Sequence, residues 1–384
     1  MAGTALSNFT DFNRVTGPTY LTGADQLINE AVKHTYILGR ILKGRGMDEV
    51  IQAGTKIKDD IMFDESSTYA HYKPNATFTW SNPQVVEELE VPWRFSVDHK
   101  SWTDQEVELN DPGGLTKSAT KVAYKKLKRI KEQRMWTSML NGVENDLWAN
   151  AGGQTAEMET ATGEKPYSIP AFITENTTYH ARGWTNVMTQ DPASQSKWRN
   201  QTEGYTYDAP DNSDTGLFAA FDTMFYKVRF KPPGTRDQYF TDPGLNKQMI
   251  CCSRDGLNQY QRLLRDGNDS YISKEDPAYV APAYGGIELV YVAALDTATL
   301  YADVLATPTA EYAEDSGSAA SNGPRYWWIN GNFIKPIFHA RRYFTQHNPM
   351  RHPNQPFTTI QPVDCWWNLF CTSRQRHGMI SPND

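Results

Sequence analysis

Two hydrophobic periods alternate along the chain. Residues 1–20 are polar and turn-rich and read as an arm. The stretch after them, ADQLINEAVKHTYILGRILK at 24–43, puts Leu27, Ala31, Ile37, Leu38, Ile41 and Leu42 on one broad helical face. From 50 to 111 the period changes to two. In EVPWRFSVD, Val91, Trp93, Phe95 and Val97 alternate with Glu90, Pro92, Arg94, Ser96 and Asp98, and FTW at 78–80 offers a partner strand across Ser81-Asn82-Pro83. Pro92 confines its strand to a sheet margin. A two-stranded ribbon is marginal in water on its own, so a long projecting one predicts cover from outside its own domain.

Asp111-Pro112-Gly113-Gly114 ends this excursion, and a helix is predicted from Thr116 to about Ala149. Thirty-four residues at about 1.5 Å each would extend ~51 Å, far beyond an average globular helix. Its apolar positions, Val122, Ala123, Leu127, Ile130, Met135 or Trp136, Met139, Val143 and Leu147, form one stripe opposite a basic side. Residues 151–215 lack periodicity and carry isolated aromatics (Phe172, Trp184, Trp198), as expected of a long connection lying over other elements. A helical stripe returns at 217–230 with Phe218, Phe221, Phe225 and Val228. QMICCS and GIELVYVAAL read as buried strands, and Asp255 to Arg265 as a capped helix with Leu257, Tyr260 and Leu264 inward. YWWINGNFIKPIF at 326–338 reads as a hairpin whose Asn330-Gly331 pair suits a type I′ turn. VDCWWNLFCT at 363–372 supplies a last apolar strand, and no internal repeat is visible.

Composition sharpens this picture. The hydrophobic fraction is 39%, yet 12% of residues are Phe, Trp or Tyr. Scarce aliphatics beside plentiful large rings resemble the make-up of protein interfaces. Cys251, Cys252, Cys365 and Cys371 form neither a disulfide scaffold nor a CxxC metal pair, so reduced buried thiols are expected. No basic start leads into an apolar run, and no 18 apolar residues follow one another, which predicts neither signal peptide nor membrane span. Synthesis and assembly in a cytoplasm follow from that expectation. The sequons at Asn8, Asn75, Asn176 and Asn200 then read as chance matches.

Charge is distributed unevenly. Residues 117–134 hold eight Lys or Arg and one Glu in a chain of net charge -7, whereas 59–111 hold twelve Asp or Glu against Lys73, Arg94 and Lys100. A basic helix face can meet nucleic-acid phosphates or the acidic ribbon of a neighbouring copy. The acidic total opposes sequence-specific DNA reading. Catalytic motifs are weak. GGLTKS at 113–118 lacks the glycines of a phosphate loop, and His339, His347, His352 and His377 lack metal-ligand spacing. Cys251 and Cys252 would point to opposite faces of a strand, which excludes a redox dithiol. Glu87 with Glu88, or Glu106 with Glu108, could be imagined as glycosidase acids beside 11 tryptophans that stack on sugars, but they fall on the acidic ribbon rather than at a predicted pocket. A carbohydrate-active enzyme or glycan-binding module is therefore the rival reading.

The order of elements resembles a known family: arm and helix, long β-ribbon, long helix, irregular stretch, mixed α/β region, returning strand. With VPWRFSVDHKSWTDQEVELN, MICCSRDGLNQYQRLLRD and WWNLFCTSRQRHGMISP, the chain is similar to tailed-bacteriophage major capsid proteins of the Hong Kong ninety-seven fold. The resemblance implies an α+β phage capsid fold with an N-terminal arm and helix (1–49) and an extended β-ribbon loop (50–112). A peripheral domain (113–216) would hold a spine helix at 116–149, a mixed α/β axial domain would occupy 217–335, and 336–384 would return to the peripheral domain. It implies a non-enzymatic shell protein without cofactor or metal. Its hexamers and pentamers would close into an icosahedral virion capsid around double-stranded DNA, assembled in a host cytoplasm. Implied partners are further copies of itself, a separate scaffolding protein, a portal and a decoration protein, with non-specific DNA contact and no membrane. A minor phage structural component is the neighbouring alternative. Interface candidates are Glu87, Glu88, Glu90, Trp93 and Arg94 on the ribbon and Lys121, Lys125, Lys128 and Lys131 on the long helix.

Overall fold

A computed structural model describes residues 50–51, 54–63, 69, 71, 73, 86–109, 117–149, 162–174, 186–206, 213–229, 248–267, 282–296 and 324–383. The predicted arm, the helix at 24–43, the strand at 78–80 and Trp184 lie outside them. The elements are β1 (Val50–Ile51), β2 (Lys56–Met62), β3 (Val86–Pro92), β4 (Arg94–Thr103), α1 (Asp104–Leu109), α2 (Lys117–Trp148), α3 (Ile169–Phe172), β5 (Gln201–Thr206), α4 (Leu217–Arg229), β6 (Gln248–Cys252), α5 (Arg254–Gly267), β7 (Ala283–Tyr284), β8 (Ile287–Tyr291), β9 (Tyr326–Asn330), β10 (Ile334–His339), β11 (Thr345–Gln346), β12 (Met350–His352), β13 (Gln355–Cys371) and β14 (Gly378–Asn383). The class is mixed α+β. The chain divides into two compact units, one of residues 1–33, 95–143 and 340–366, the other of 34–94, 144–339 and 367–384.

In the second unit a six-stranded mixed sheet runs β5-β14-β9-β6-β8-β7. β14 lies parallel to β5 and antiparallel to β9, and β6 lies parallel to β8. A helix-period stripe explains α4, whose Leu217, Phe221, Met224 and Val228 are buried with Ile250, Tyr260, Tyr326 and Trp328 in one core. Adjacent residues Cys251 and Cys252 are both buried, so both faces of β6 are covered, and an unbroken apolar run suits it better than alternation would. Both thiols are buried and neither is in a disulfide. Asp296 caps α5 from outside the helix, its Oδ1 accepting the Arg254 N–H at 2.7 Å.

The predicted hairpin at 326–338 is not one. β9 pairs with β6 and β14, while β10 pairs with β13 and β1, so the chain changes sheets at the turn. Neither Asn330 nor Gly331 has positive φ. The Asn330 side chain instead accepts the Asn332 N–H at 3.1 Å, and its carbonyl accepts Phe333 N–H at 3.0 Å. The aromatics are also spent differently from the interface-like expectation. Trp148, Trp198, Trp327, Trp328 and Trp367 are fully buried, with Phe172 and Phe221, so the rings largely replace the missing aliphatics inside the protein.

In the first unit, α1 begins with a capping box: Thr103 Oγ1 accepts the Glu106 N–H at 3.2 Å and Glu106 Oε2 accepts the Thr103 N–H at 2.9 Å. α2 spans 32 residues and buries Met135 and Met139 there. Strand β13 pairs with β4, with β11 at Val363 and Asp364, and with β12 at Thr359 and Ile360; its Val363 and Cys365 are buried.

Candidate assembly surfaces

The ribbon pairs β2 with β3, from Lys56 opposite Pro92 to Met62 opposite Val86. The partner of 86–92 is thus 56–62, and β4 leaves the ribbon to join β13. Alternation buries Ile57, Leu89 and Val91 on one side. The other side carries an ion ladder: Lys56 meets Glu90 at 2.5 Å, and Lys58 meets Glu88 at 2.5 Å and also Glu90. Hydrogen bonds from Lys56 and then Lys58 hold the Glu90 carboxyl below its ordinary pKa.

A strap at 186–198 fastens the ribbon to its own unit. Thr189 Oγ1 and Gln190 Nε2 donate to the Glu88 carbonyl at 2.9 and 3.2 Å, Lys197 Nζ donates to the Phe63 carbonyl at 2.8 Å, and Phe63 meets Trp198 edge-on. The strap turns at Val187–Gln190 through Met188 (φ 54) and Thr189 (φ 74), two side-chain-bearing residues in the left-handed region.

The residues singled out from sequence fall into three sets. Glu88 and Glu90 are satisfied by lysines of the same ribbon, and Glu87 Oε1 accepts from Gln195 Nε2 at 3.4 Å. Trp93 and Arg94 are buried: Trp93 Nε1 donates to the Gly54 carbonyl at 3.0 Å, and the Arg94 guanidinium donates to the Gly163 carbonyl. In this chain neither is a surface anchor. Lys131 donates to the Ser101 carbonyl at 2.8 Å and pairs with Glu106 at 2.6 Å, so its charge is engaged within its own unit. Lys128 is half-buried, and the side chains of Lys121 and Lys125 lie outside the described residues.

Sequence reasoning missed the exposed face of β4. Phe95 and Val97 continue the parity of Val91 and Trp93, which predicts all four inward, yet they face solvent. The reason is a change of covering side at Trp93, which belongs to neither strand: Val91 and Trp93 are covered there, whereas along β4 Lys100 and Trp102 are the buried side chains. Charged residues at three alternate positions, Arg94, Asp98 and Lys100, with Pro92 just before, were the only signal.

Among the described residues no group of three His, Cys, Asp or Glu could hold a metal ion, and no helix is long and apolar enough to cross a membrane. No family model and no curated protein matches the sequence. Solved structures do. A chain of the Cyanophage A-1(L) capsid asymmetric unit is 13% identical, with a TM-score of 0.53 over 95% of this chain and 99% of that one. A chain of the bacteriophage PhiM1 mature capsid asymmetric unit is 10% identical, with a TM-score of 0.47 over 95% of this chain and 93% of that one. The first likeness shows that the fold of a phage capsid chain runs through nearly the whole length.

Proposed function

We propose that the chain is the major capsid protein of a tailed bacteriophage, assembling as hexamers and pentamers of an icosahedral shell around double-stranded DNA. The observation that carries the reading is the shared fold over 95% of this chain and 99% of the cyanophage capsid chain. In this reading 50–112 is the extended loop, α2 is the spine helix of a peripheral domain, and 217–335 is mainly the axial domain. Its work is structural rather than catalytic. Weak contacts repeated over many copies hold a closed shell by multivalency. The basic side of α2, with Lys121, Lys125 and Lys128, meets neighbouring carboxylates or packaged phosphates, and a scaffolding protein, portal and decoration protein complete the virion. The glycan-binding rival loses most of its platforms among the described residues, because Trp93, Trp102, Trp148, Trp198, Trp327, Trp328 and Trp367 are buried.

The test is expression of the chain alone and with its phage's other head proteins, followed by sedimentation and negative-stain electron microscopy. Megadalton shells are expected. A monodisperse monomer in every combination and at every concentration overturns the proposal.

A further inference from the structure

In the first unit, the turn from Arg342 to His347, which contains β11, brings three charged or titratable groups to one point. Arg342 Nη1 lies 3.0 Å from Asp364 Oδ2 and 3.0 Å from His347 Nε2, and His347 Nε2 lies 3.0 Å from Asp364 Oδ1. Arg342 starts the turn, His347 ends it, and Asp364 belongs to β13, opposite Thr345. Arg342 and Asp364 are the charged groups in contact with the His347 ring among the described residues. The backbone at the ring is held separately: His347 N–H donates to the Pro362 carbonyl at 3.0 Å, and Gln361 Nε2 donates to the His347 carbonyl at 2.8 Å.

No single protonation state satisfies all three contacts. Nε2 presents either a lone pair or a proton. With the lone pair it accepts from Arg342, and that bond bridges the two ends of the turn. With the proton it donates to Asp364 Oδ1, a buried oxygen that accepts no hydrogen bond in the structure although the ring is within reach. An imidazolium carries a proton on both nitrogens, so the bridge from Arg342 is lost and two cations face each other in its place. Asp364 then holds each of them through a separate oxygen.

The segment under the bridge is strained. Phe344 has φ 46, a left-handed conformation that an aromatic residue keeps only where its surroundings enforce it. Its ring packs on Trp136 of α2 at 5.9 Å and meets Tyr343 edge-on at 5.0 Å. The Arg342 guanidinium also lies 5.5 Å over the ring of Trp366. We propose that Arg342 and His347 form a proton-operated clasp on this turn, closed while the imidazole is neutral and opened when it is protonated. The opening reaches α2 through Phe344 and Trp136. Histidine suits such a device because it is the side chain that changes charge between about pH 8 and 5. The clasp is internal to one chain and needs no second copy.

The experiment labels the full-length chain with fluorotryptophan and follows it by fluorine NMR from about pH 8 to about pH 5. Trp136→Phe and Trp366→Phe identify the two signals that matter. Both are expected to shift along one common curve with the steepness of a single proton. His347→Gln keeps an acceptor for Arg342 and does not titrate, so it is expected to hold both signals at their alkaline positions throughout. His347→Lys is cationic over that whole range and is expected to place them near their acid positions from the start. Wild-type signals that stay still, or that move equally in His347→Gln, overturn the clasp. The first of these outcomes needs no variant to fold, and neither depends on whether the chain builds a shell.

Discussion

Arg374 is fully buried, with its Nη1 3.0 Å from the carbonyl oxygen of Trp198. Its Nε donates to the Phe172 carbonyl at 2.8 Å and its Nη2 to Asn200 Oδ1 at 3.2 Å. These acceptors are neutral oxygens drawn from the end of α3 and from the stretch at 186–200, so one planar fork ties both to the turn between β13 and β14. Burial pulls the guanidinium down to about 10, which leaves it cationic at neutral pH. Arg374→Met, which removes three buried hydrogen bonds from a charged donor, is expected to cost about 3 kcal/mol. Arg374→Lys should cost nearly as much, because an ammonium cannot reproduce the fork. Urea unfolding that shows a lowered midpoint at unchanged slope checks both.

His377 gives the second unit an acid limit. It is fully buried, and its Nδ1 accepts the Asn330 N–H at 3.1 Å. Burial first, then the charges of Arg374 and Arg376, push its pKa from 6.5 down to about 3. Above pH 6.5 both folded and unfolded chains hold it neutral, and it adds no pH dependence. Between 6.5 and 3 only the unfolded chain takes up the proton, so stability falls by up to about 1.4 kcal/mol per pH unit from this group. His377→Asn, which retains an acceptor near Nδ1, should flatten that part of a stability-against-pH curve. An unchanged acid slope in the variant would assign the loss to other groups.

Gly378 is required by its neighbour. A Cβ built there would overlap the Sδ of Met224, which is fully buried in the α4 core. Gly378→Ala is expected to destabilise by about 1–3 kcal/mol through overpacking, and Gly378→Ala with Met224→Ala by less than the sum of the two single changes. Thermal melts of the four-member cycle measure that coupling.

Much of the architecture could be read because its period was unambiguous. The α4 stripe, the α5 residues Leu257, Tyr260 and Leu264, and the apolar runs of β6, β8 and β13 occur where periodicity placed them. What failed was partner choice, which a single strand's pattern does not encode. Asn330-Gly331 looked like a hairpin because turn propensity is local, whereas β9 and β10 are drawn into different sheets by pairing with β6, β14 and β13. The same limit hid the surface of β4: Phe95 and Val97 alternate like core residues, and only knowledge of which side is covered reveals that they are exposed. Arg94 was misplaced for the converse reason, since a buried cation is legible only from the carbonyl of Gly163 that receives it.

The strap turn offers the last test, because strain and clamping there have opposite signs. Thr189 is β-branched at φ 74, a conformation that costs such a residue of the order of 1 kcal/mol or more, yet its Oγ1 holds the Glu88 carbonyl at 2.9 Å. Thr189→Asn keeps a polar side chain and tolerates the left-handed region, so it is expected to stabilise by about 0.5–1 kcal/mol. Thr189→Val keeps the strain and removes the hydroxyl, and should destabilise by about 1 kcal/mol. Hydrogen exchange of the ribbon amides separates the two effects: protection across β3 should fall in Thr189→Val and hold or rise in Thr189→Asn. Wild-type protection in Thr189→Val would mean that the hydroxyl is not what fastens the ribbon to its strap.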